Sequence, residues 1–71
     1  MLKNMKIPVE NNLDEIVAEL ERLGYRLDYE CRKKPAFVIT WHFGDYDIQS
    51  MCEHEFIFHE DTATLAELKE M

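Results

Sequence analysis

The stretch that decides the fold is residues 37–52, FVITWHFGDYDIQSMC. Apolar and polar side chains alternate along it on both sides of Gly44-Asp45, and a period of two is typical of a half-buried β-strand. Two-residue turns with glycine first are common in β-hairpins. The sequence therefore predicts a hairpin in which Phe43 lies opposite Tyr46.

The turn also sets the register of the whole hairpin. Counting outward from it divides the side chains between two faces. The first face carries Phe37, Ile39, Trp41, Phe43, Tyr46, Ile48, Ser50 and Cys52. The second face carries Val38, Thr40, His42, Asp47, Gln49 and Met51. Because the first face is richer in large apolar residues, we expect a helix to cover it and the second face to be solvated.

A third strand is indicated by residues 25–31, where tyrosine, leucine and cysteine alternate with charged residues. A short loop at residues 33–35 would place this strand antiparallel beside residues 37–43, with its apolar side chains on the same face. In that register Cys31 and Cys52 lie two strands apart, about 10 Å, which is beyond the reach of a disulfide. The sequence therefore predicts an antiparallel meander with free thiols.

An amphipathic helix is predicted over residues 12–23. Its apolar positions recur at helical spacing and are Leu13, Ile16, Val17, Leu20 and Leu23. Asn12 is a typical N-cap, with Glu15 as its capping-box partner, and Gly24 is a typical residue for ending a helix in the left-handed conformation. Residues 5–9 precede this helix and suit a short edge strand, because Pro8 cannot donate a ladder hydrogen bond.

The C-terminal part of the chain is less regular. Residues 54–60, HEFIFHE, form a consecutive apolar run between polar residues and fit either a fourth strand or a helical turn that begins near Ser50. Asp61 is a candidate cap for a final helix from about Thr62.

The whole chain, residues 1–71, is predicted to form one α+β domain. It has two layers, in which an antiparallel meander sheet of three to four strands packs against the N-terminal amphipathic helix. A short C-terminal helix follows.

The charge distribution is the clearest functional signal. Residues 1–44 carry seven acidic and seven basic side chains, whereas the last 27 residues carry eight acidic and one basic, which accounts for the net charge of −7. Nucleic acids and anionic membranes favour basic surfaces, so neither is the expected partner. We expect a basic protein surface instead. The candidate binding residues are Glu53, Glu55, Glu60, Asp61, His42 and Asp47.

These observations favour a small, acidic, non-enzymatic interaction domain. One form of this hypothesis is a regulator or inhibitor from a phage or mobile element, which presents carboxylates in place of phosphates. The chain has two glycines, no glycine-rich phosphate loop and no nucleophile elbow, so we expect no catalysis. An alternative role is a structural subunit of a homo-oligomer, and a homodimer is expected because a core of this size is marginal alone.

A second alternative is a zinc-binding domain that uses Cys52, His54 and His59, because cysteine and histidine are the usual ligands of zinc. Only one closely spaced ligand pair is present, so the preferred expectation is that the protein has no cofactor. No apolar run approaches the ~20 residues of a membrane span, and no signal-peptide pattern is visible near the start. We therefore expect no membrane partner and a cytoplasmic location.

Overall fold

The computed structural model describes residues 4–31, 33–53 and 61–71. In these residues the chain is α+β, with a five-stranded mixed sheet and two helices. The strands are β1 (Met5–Pro8), β2 (Arg26–Tyr29), β3 (Phe37–Phe43), β4 (Tyr46–Cys52) and β5 (Asp61–Thr62). The helices are α1 (Leu13–Leu23) and α2 (Leu65–Glu70). The strand order across the sheet is β2-β4-β3-β1-β5.

The predicted hairpin of β3 and β4 is confirmed in every pair. The register runs from Phe43 opposite Tyr46 at the turn to Phe37 opposite Cys52 at the other end. Gly44 has a φ of 61°, and no non-glycine residue in the described part of the chain has a positive φ. A turn with glycine first and a positive φ at that residue alone matches type II′, whose twist suits a hairpin.

The predicted antiparallel meander is wrong, because β4 lies between β2 and β3. β2 pairs in parallel with β4, with Arg26 opposite Ile48. The prediction fails because the edge of β3 that faces away from β4 is occupied by β1. The two strands pair antiparallel, with Ile7 opposite Val38. β2 is therefore left with the free edge of β4. β1 is also not an edge strand, since β5 pairs in parallel with its other side.

The face of the sheet that the helices cover is also the opposite of the one predicted. The buried cluster joins both helices to the second hairpin face, and it consists of Met5, Ile7, Ile16, Leu20, Tyr25, Cys31, Val38, Met51, Ala63 and Leu68. Because β1 sits beside β3, its apolar side chains Met5 and Ile7 extend the face that carries Val38. The helices pack on that larger apolar surface, and the face with Trp41 is turned away from them.

The boundaries of α1 agree with the sequence, but its N-cap differs. Asn12 stands at the cap position without a side-chain bond to the helix. Its Oδ1 instead accepts a hydrogen bond of 3.0 Å from the backbone N–H of Glu10. Gly24 ends the helix with a φ of 108°, in the left-handed conformation that was expected.

The C-terminal helix begins later than predicted. Asp61 lies in β5, and Thr64 caps α2 by accepting a hydrogen bond of 3.2 Å from the backbone N–H of Glu67. At the other end, the Arg22 guanidinium of α1 donates to the carbonyl oxygens of Leu68 at 2.9 Å and Met71 at 3.3 Å. A cation at a helix C-terminus satisfies otherwise unpaired carbonyls, so Arg22 fixes α2 to α1.

A polar strip crosses the buried face of the sheet. The Oγ1 of Thr40 accepts a 2.6 Å hydrogen bond from the backbone N–H of Met5, and the Tyr25 hydroxyl also bonds to Thr40. Burial raises the pKa of Tyr25, the bond to Thr40 opposes that shift, and the charge of Asp47 adds to it. Gln49 is fully buried on the same face, and among the described residues its amide has no hydrogen-bond partner.

Neither helix in the described part of the chain has the length and hydrophobicity that crossing a membrane requires.

Candidate functional site

The main candidate site is the sheet face that points away from both helices. Four aromatic side chains from β2, β3 and β4 share it, and we call them the aromatic surface: Tyr29, Trp41, Phe43 and Tyr46. Tyr29 is 57%, Phe43 65% and Tyr46 52% exposed, whereas Trp41 is half-buried. Aromatic residues provide much of the energy of protein interfaces, so this much exposed ring area is typical of a contact surface.

The strand pattern explains why these rings share one face. Alternate residues of β3 point the same way, which brings Trp41 beside Phe43, with ring centroids 5.8 Å apart and planes at 71°. This edge-to-face arrangement is a favourable one for aromatic pairs. Tyr46 lies opposite Phe43 across the turn. The rings are therefore positioned before any partner arrives.

Polar groups at the aromatic surface already have partners within the chain. The indole Nε1 of Trp41 donates a 3.0 Å hydrogen bond to the hydroxyl oxygen of Ser50. The Arg26 guanidinium carbon lies 4.4 Å from the ring centroid of Tyr46, within the range of a cation–π interaction. A partner that covered Trp41 would therefore leave its indole N–H paired.

Two open depressions lie side by side on this face. The first depression has a volume of about 360 Å³ and is lined by Arg26, Leu27, Asp28, Phe43, Tyr46 and Ile48. The second has a volume of about 440 Å³ and is lined by Tyr29, Ile39, Trp41, Ser50, Met51, Cys52 and Glu53. Among the described residues, each depression has one carboxylate, Asp28 in the first and Glu53 in the second.

Glu53 has an internal partner as well. The thiol of Cys31 donates a 2.9 Å hydrogen bond to Oε1 of Glu53. This hydrogen bond is the main cause of the raised pKa of Cys31, because a thiolate beside a carboxylate is unfavourable. Burial of the thiol is the second cause. Burial likewise raises the pKa of Cys52. Both thiols are free, although the strands that precede them, β2 and β4, are neighbours and not two strands apart as the sequence predicted. Both are held in the protonated form, which is a poor nucleophile.

The acidic residues chosen from the sequence are spread over the molecule. Glu53 directly follows β4, whereas Asp61 lies in the edge strand β5, three strands away across the sheet. Glu55 and Glu60 lie outside the described residues. The described members of the predicted acidic site are therefore not brought together.

His42 and Asp47 are brought together as the hairpin register predicts. Nδ1 of His42 lies 3.3 Å from Oδ1 of Asp47. Their strand positions place them on the same side of the sheet as Val38, the side that the helices cover. The pair is thus separated from the aromatic surface by the sheet itself.

The alternative zinc site has one residue in the described part of the chain. Cys52 ends β4 and is half-buried, while His54 and His59 lie outside that part. No three His, Cys, Asp or Glu side chains among the described residues are grouped so that they could hold a metal ion.

The sequence pattern grouped Trp41, Phe43 and Tyr46 correctly but predicted that they would be buried. β3 has apolar or small side chains on both faces, including Val38 and Thr40 on the second. Its pattern alone therefore does not show which face is buried. The pairing of β1 with β3 decides the matter. The apolar alternation of Met5 and Ile7 is the sequence signal for the covered face. It indicates the Val38 face once β1 is placed beside β3.

Comparisons with protein-family models, with curated proteins and with solved structures found no match to this chain.

Proposed function

We propose that this protein is a non-enzymatic interaction domain that binds a basic protein through its aromatic surface. The observation that carries the proposal is the exposure of Tyr29, Phe43 and Tyr46 on one face of the sheet, more than half of each side chain being accessible. Large apolar groups on a rigid sheet lose little conformational entropy on binding. Such a face is suited to contact with another polypeptide.

The charge of the chain favours a basic partner. The net charge is −7, and carboxylates stand in both depressions beside the aromatic rings. Asp45 adds an exposed carboxylate at the tip of the hairpin. Opposite charge around an apolar contact speeds association and disfavours neutral or acidic competitors. The proposed partner therefore combines apolar anchors with lysine or arginine.

The size of the surface favours a hetero-partner over a second copy. At about 200 Å² per side chain, the exposed parts of Tyr29, Phe43 and Tyr46 amount to about 350 Å². A stable dimer of folded domains buries about 800 Å² on each partner. Two copies would also bring two net charges of −7 together. The three rings alone therefore supply less than half of such an interface, and the like charges oppose a second copy.

The proposal is tested by comparing captured proteins among variants of the immobilised chain. We expect the double variant Phe43→Ser, Tyr46→Ser to lose a basic partner that the native chain retains at low salt. Glu21→Gln, on the exposed side of α1, is the control and should retain it. Added salt should weaken capture, since it screens the charges. If every captured protein binds the double variant as well as the native chain, the aromatic surface is not the binding site.

A further inference from the structure

The spacing of the two depressions corresponds to that of side chains in an extended peptide. Ile48 lines the first depression and Ser50 the second, and these residues are two apart on β4. At ~3.3 Å per residue, the two depressions are offset by about 7 Å along the strand. Residues i and i+2 of an extended segment project to the same side at this same distance. One such segment can therefore place a side chain in each depression.

The first depression suits an apolar side chain. Phe43 and Ile48 supply apolar walls. The ring of Tyr46 already has the Arg26 guanidinium over it, at 4.4 Å from the ring centroid. A second cation would meet the charge of Arg26 there, whereas leucine or a similar residue would not. Although Asp28 also lines this depression, the resident arginine makes it less favourable for lysine or arginine than the second depression, which has no basic residue among its described lining side chains.

The second depression suits a cation with a long apolar stem. Tyr29 and Trp41 offer ring faces, and Glu53, whose Oε1 already accepts the Cys31 thiol, is the carboxylate among the described lining residues. No basic residue is among the described side chains that line it. A guanidinium is attracted to aromatic rings and to a carboxylate, and the methylene stem of arginine can cover apolar surface such as Ile39.

We infer that the partner of the aromatic surface is an extended basic segment, with a large apolar residue in the first depression and an arginine two residues away in the second. This inference rests on the proposed function and names the class of partner that it requires. The exposed rings agree with it, because about 350 Å² of aromatic side chain is adequate for contact with a few residues of peptide.

Two synthetic peptides of equal composition test the inference. One contains Arg-Thr-Leu-Thr-Arg, which places arginine two residues from leucine in either chain direction. The other contains Thr-Arg-Leu-Arg-Thr, in which the arginines project to the side opposite the leucine. Trp41 is the single tryptophan of the chain, so its fluorescence reports binding at the second depression directly. Sedimentation of the free protein shows whether a second copy competes.

We expect the first peptide to bind about tenfold more tightly than the second, since the misplaced arginine forfeits its contacts with the rings and with Glu53. Glu53→Gln should remove most of that preference. Glu21→Gln, which changes the net charge equally on the helix side of the molecule, should leave it intact. Far-ultraviolet circular dichroism of each variant confirms that the fold is retained.

Three results would overturn the inference. Equal affinity for the two peptides would mean that the surface binds basic chains without reading their spacing, and the proposed function would stand. Failure of both peptides, with a captured protein that still depends on Phe43 and Tyr46, would exclude an extended segment while preserving the proposed function. A dimer that Phe43→Ser dissociates would identify the second copy as the occupant and would overturn both.

Discussion

Trp41 and Ser50 are joined across β3 and β4 by a 3.0 Å hydrogen bond from the indole Nε1 to the hydroxyl oxygen. The bond satisfies the one polar atom of the tryptophan side chain without help from solvent. It also fixes the orientation of the ring on the sheet. Trp41 is therefore available as a flat apolar contact, whose burial by a partner leaves its N–H paired.

Thr40 is expected to be essential for the attachment of β1. Its Oγ1 accepts the backbone N–H of Met5 at 2.6 Å in a fully buried position. Thr40→Val keeps the shape but removes this acceptor, so the free energy of unfolding should fall by about 1–3 kcal/mol. Thr40→Ser, which keeps the hydroxyl, should cost less. Urea denaturation measures both, and a valine variant as stable as the serine variant would contradict the assigned role.

Gln49 is expected to lower the stability of the native protein. Its side chain is fully buried, and among the described residues neither atom of its amide is hydrogen-bonded. Replacing a buried, unpaired amide with an apolar group of similar volume removes the cost of its desolvation. Gln49→Met should therefore raise the free energy of unfolding by about 1–3 kcal/mol. A decrease measured by urea denaturation would mean that the amide is hydrogen-bonded in solution.

Cys31 should react slowly with alkylating reagents because of Glu53. The hydrogen bond to that carboxylate, with burial, raises the pKa of the thiol. Glu53→Gln removes the negative charge, so the rate-against-pH profile of Cys31 should move to lower pH. Mass spectrometry of alkylated peptides measures the rate at each cysteine separately.

Cys52 in the same molecule is the internal control. Burial is the main cause of its raised pKa, so Glu53→Gln should change its rate little. A raised pKa in the folded state stabilises the protein below the unfolded thiol pKa of about 8.5, and the contribution is lost as pH rises through the folded value. Unchanged alkylation of Cys31 in the Glu53→Gln variant would show that the hydrogen bond does not control its reactivity.

The elements defined by local sequence were predictable. Gly44-Asp45 fixed the hairpin register, including the pairing of His42 with Asp47. The apolar spacing before Gly24 gave the helix α1. These features depend on residues near one another in the chain, where turn chemistry and periodicity act directly.

The neighbours of each strand were not predictable from alternation. A half-buried strand pairs equally well on either edge, so the pattern of residues 25–31 could not show that β4 would separate β2 from β3. The position of β1 is a contact between distant parts of the chain. That one placement changed the sheet from a meander to a mixed sheet and decided which face the helices cover.

The candidate site was not predicted, because the alternation in β3 does not show which of its two faces the helices cover. The sequence places Trp41, Phe43 and Tyr46 on one face but predicts that this face is core, which leaves the acidic residues near the C-terminus as the predicted binding site. Of those, the described Glu53 and Asp61 are separated by the width of three strands. The predictions for residues 54–60 lie outside the described residues.

The measurement that tests the central claim most directly compares the stabilities of Phe43→Ala and Met51→Ala. Phe43 is 65% exposed on the aromatic surface, whereas Met51 is 6% exposed in the cluster beneath the helices. Met51→Ala should reduce the free energy of unfolding by about 2–5 kcal/mol. Phe43→Ala should cost about 1 kcal/mol or less, chiefly its contact with Trp41.

Both variants are measured by urea denaturation under identical conditions. A large loss at Met51 with a small loss at Phe43 is the result expected when the helices cover the Met51 face and leave the aromatic surface open for a partner. A loss of about 3–5 kcal/mol at Phe43 with little effect at Met51 would place the helices on the aromatic face, and the proposed binding surface would not exist.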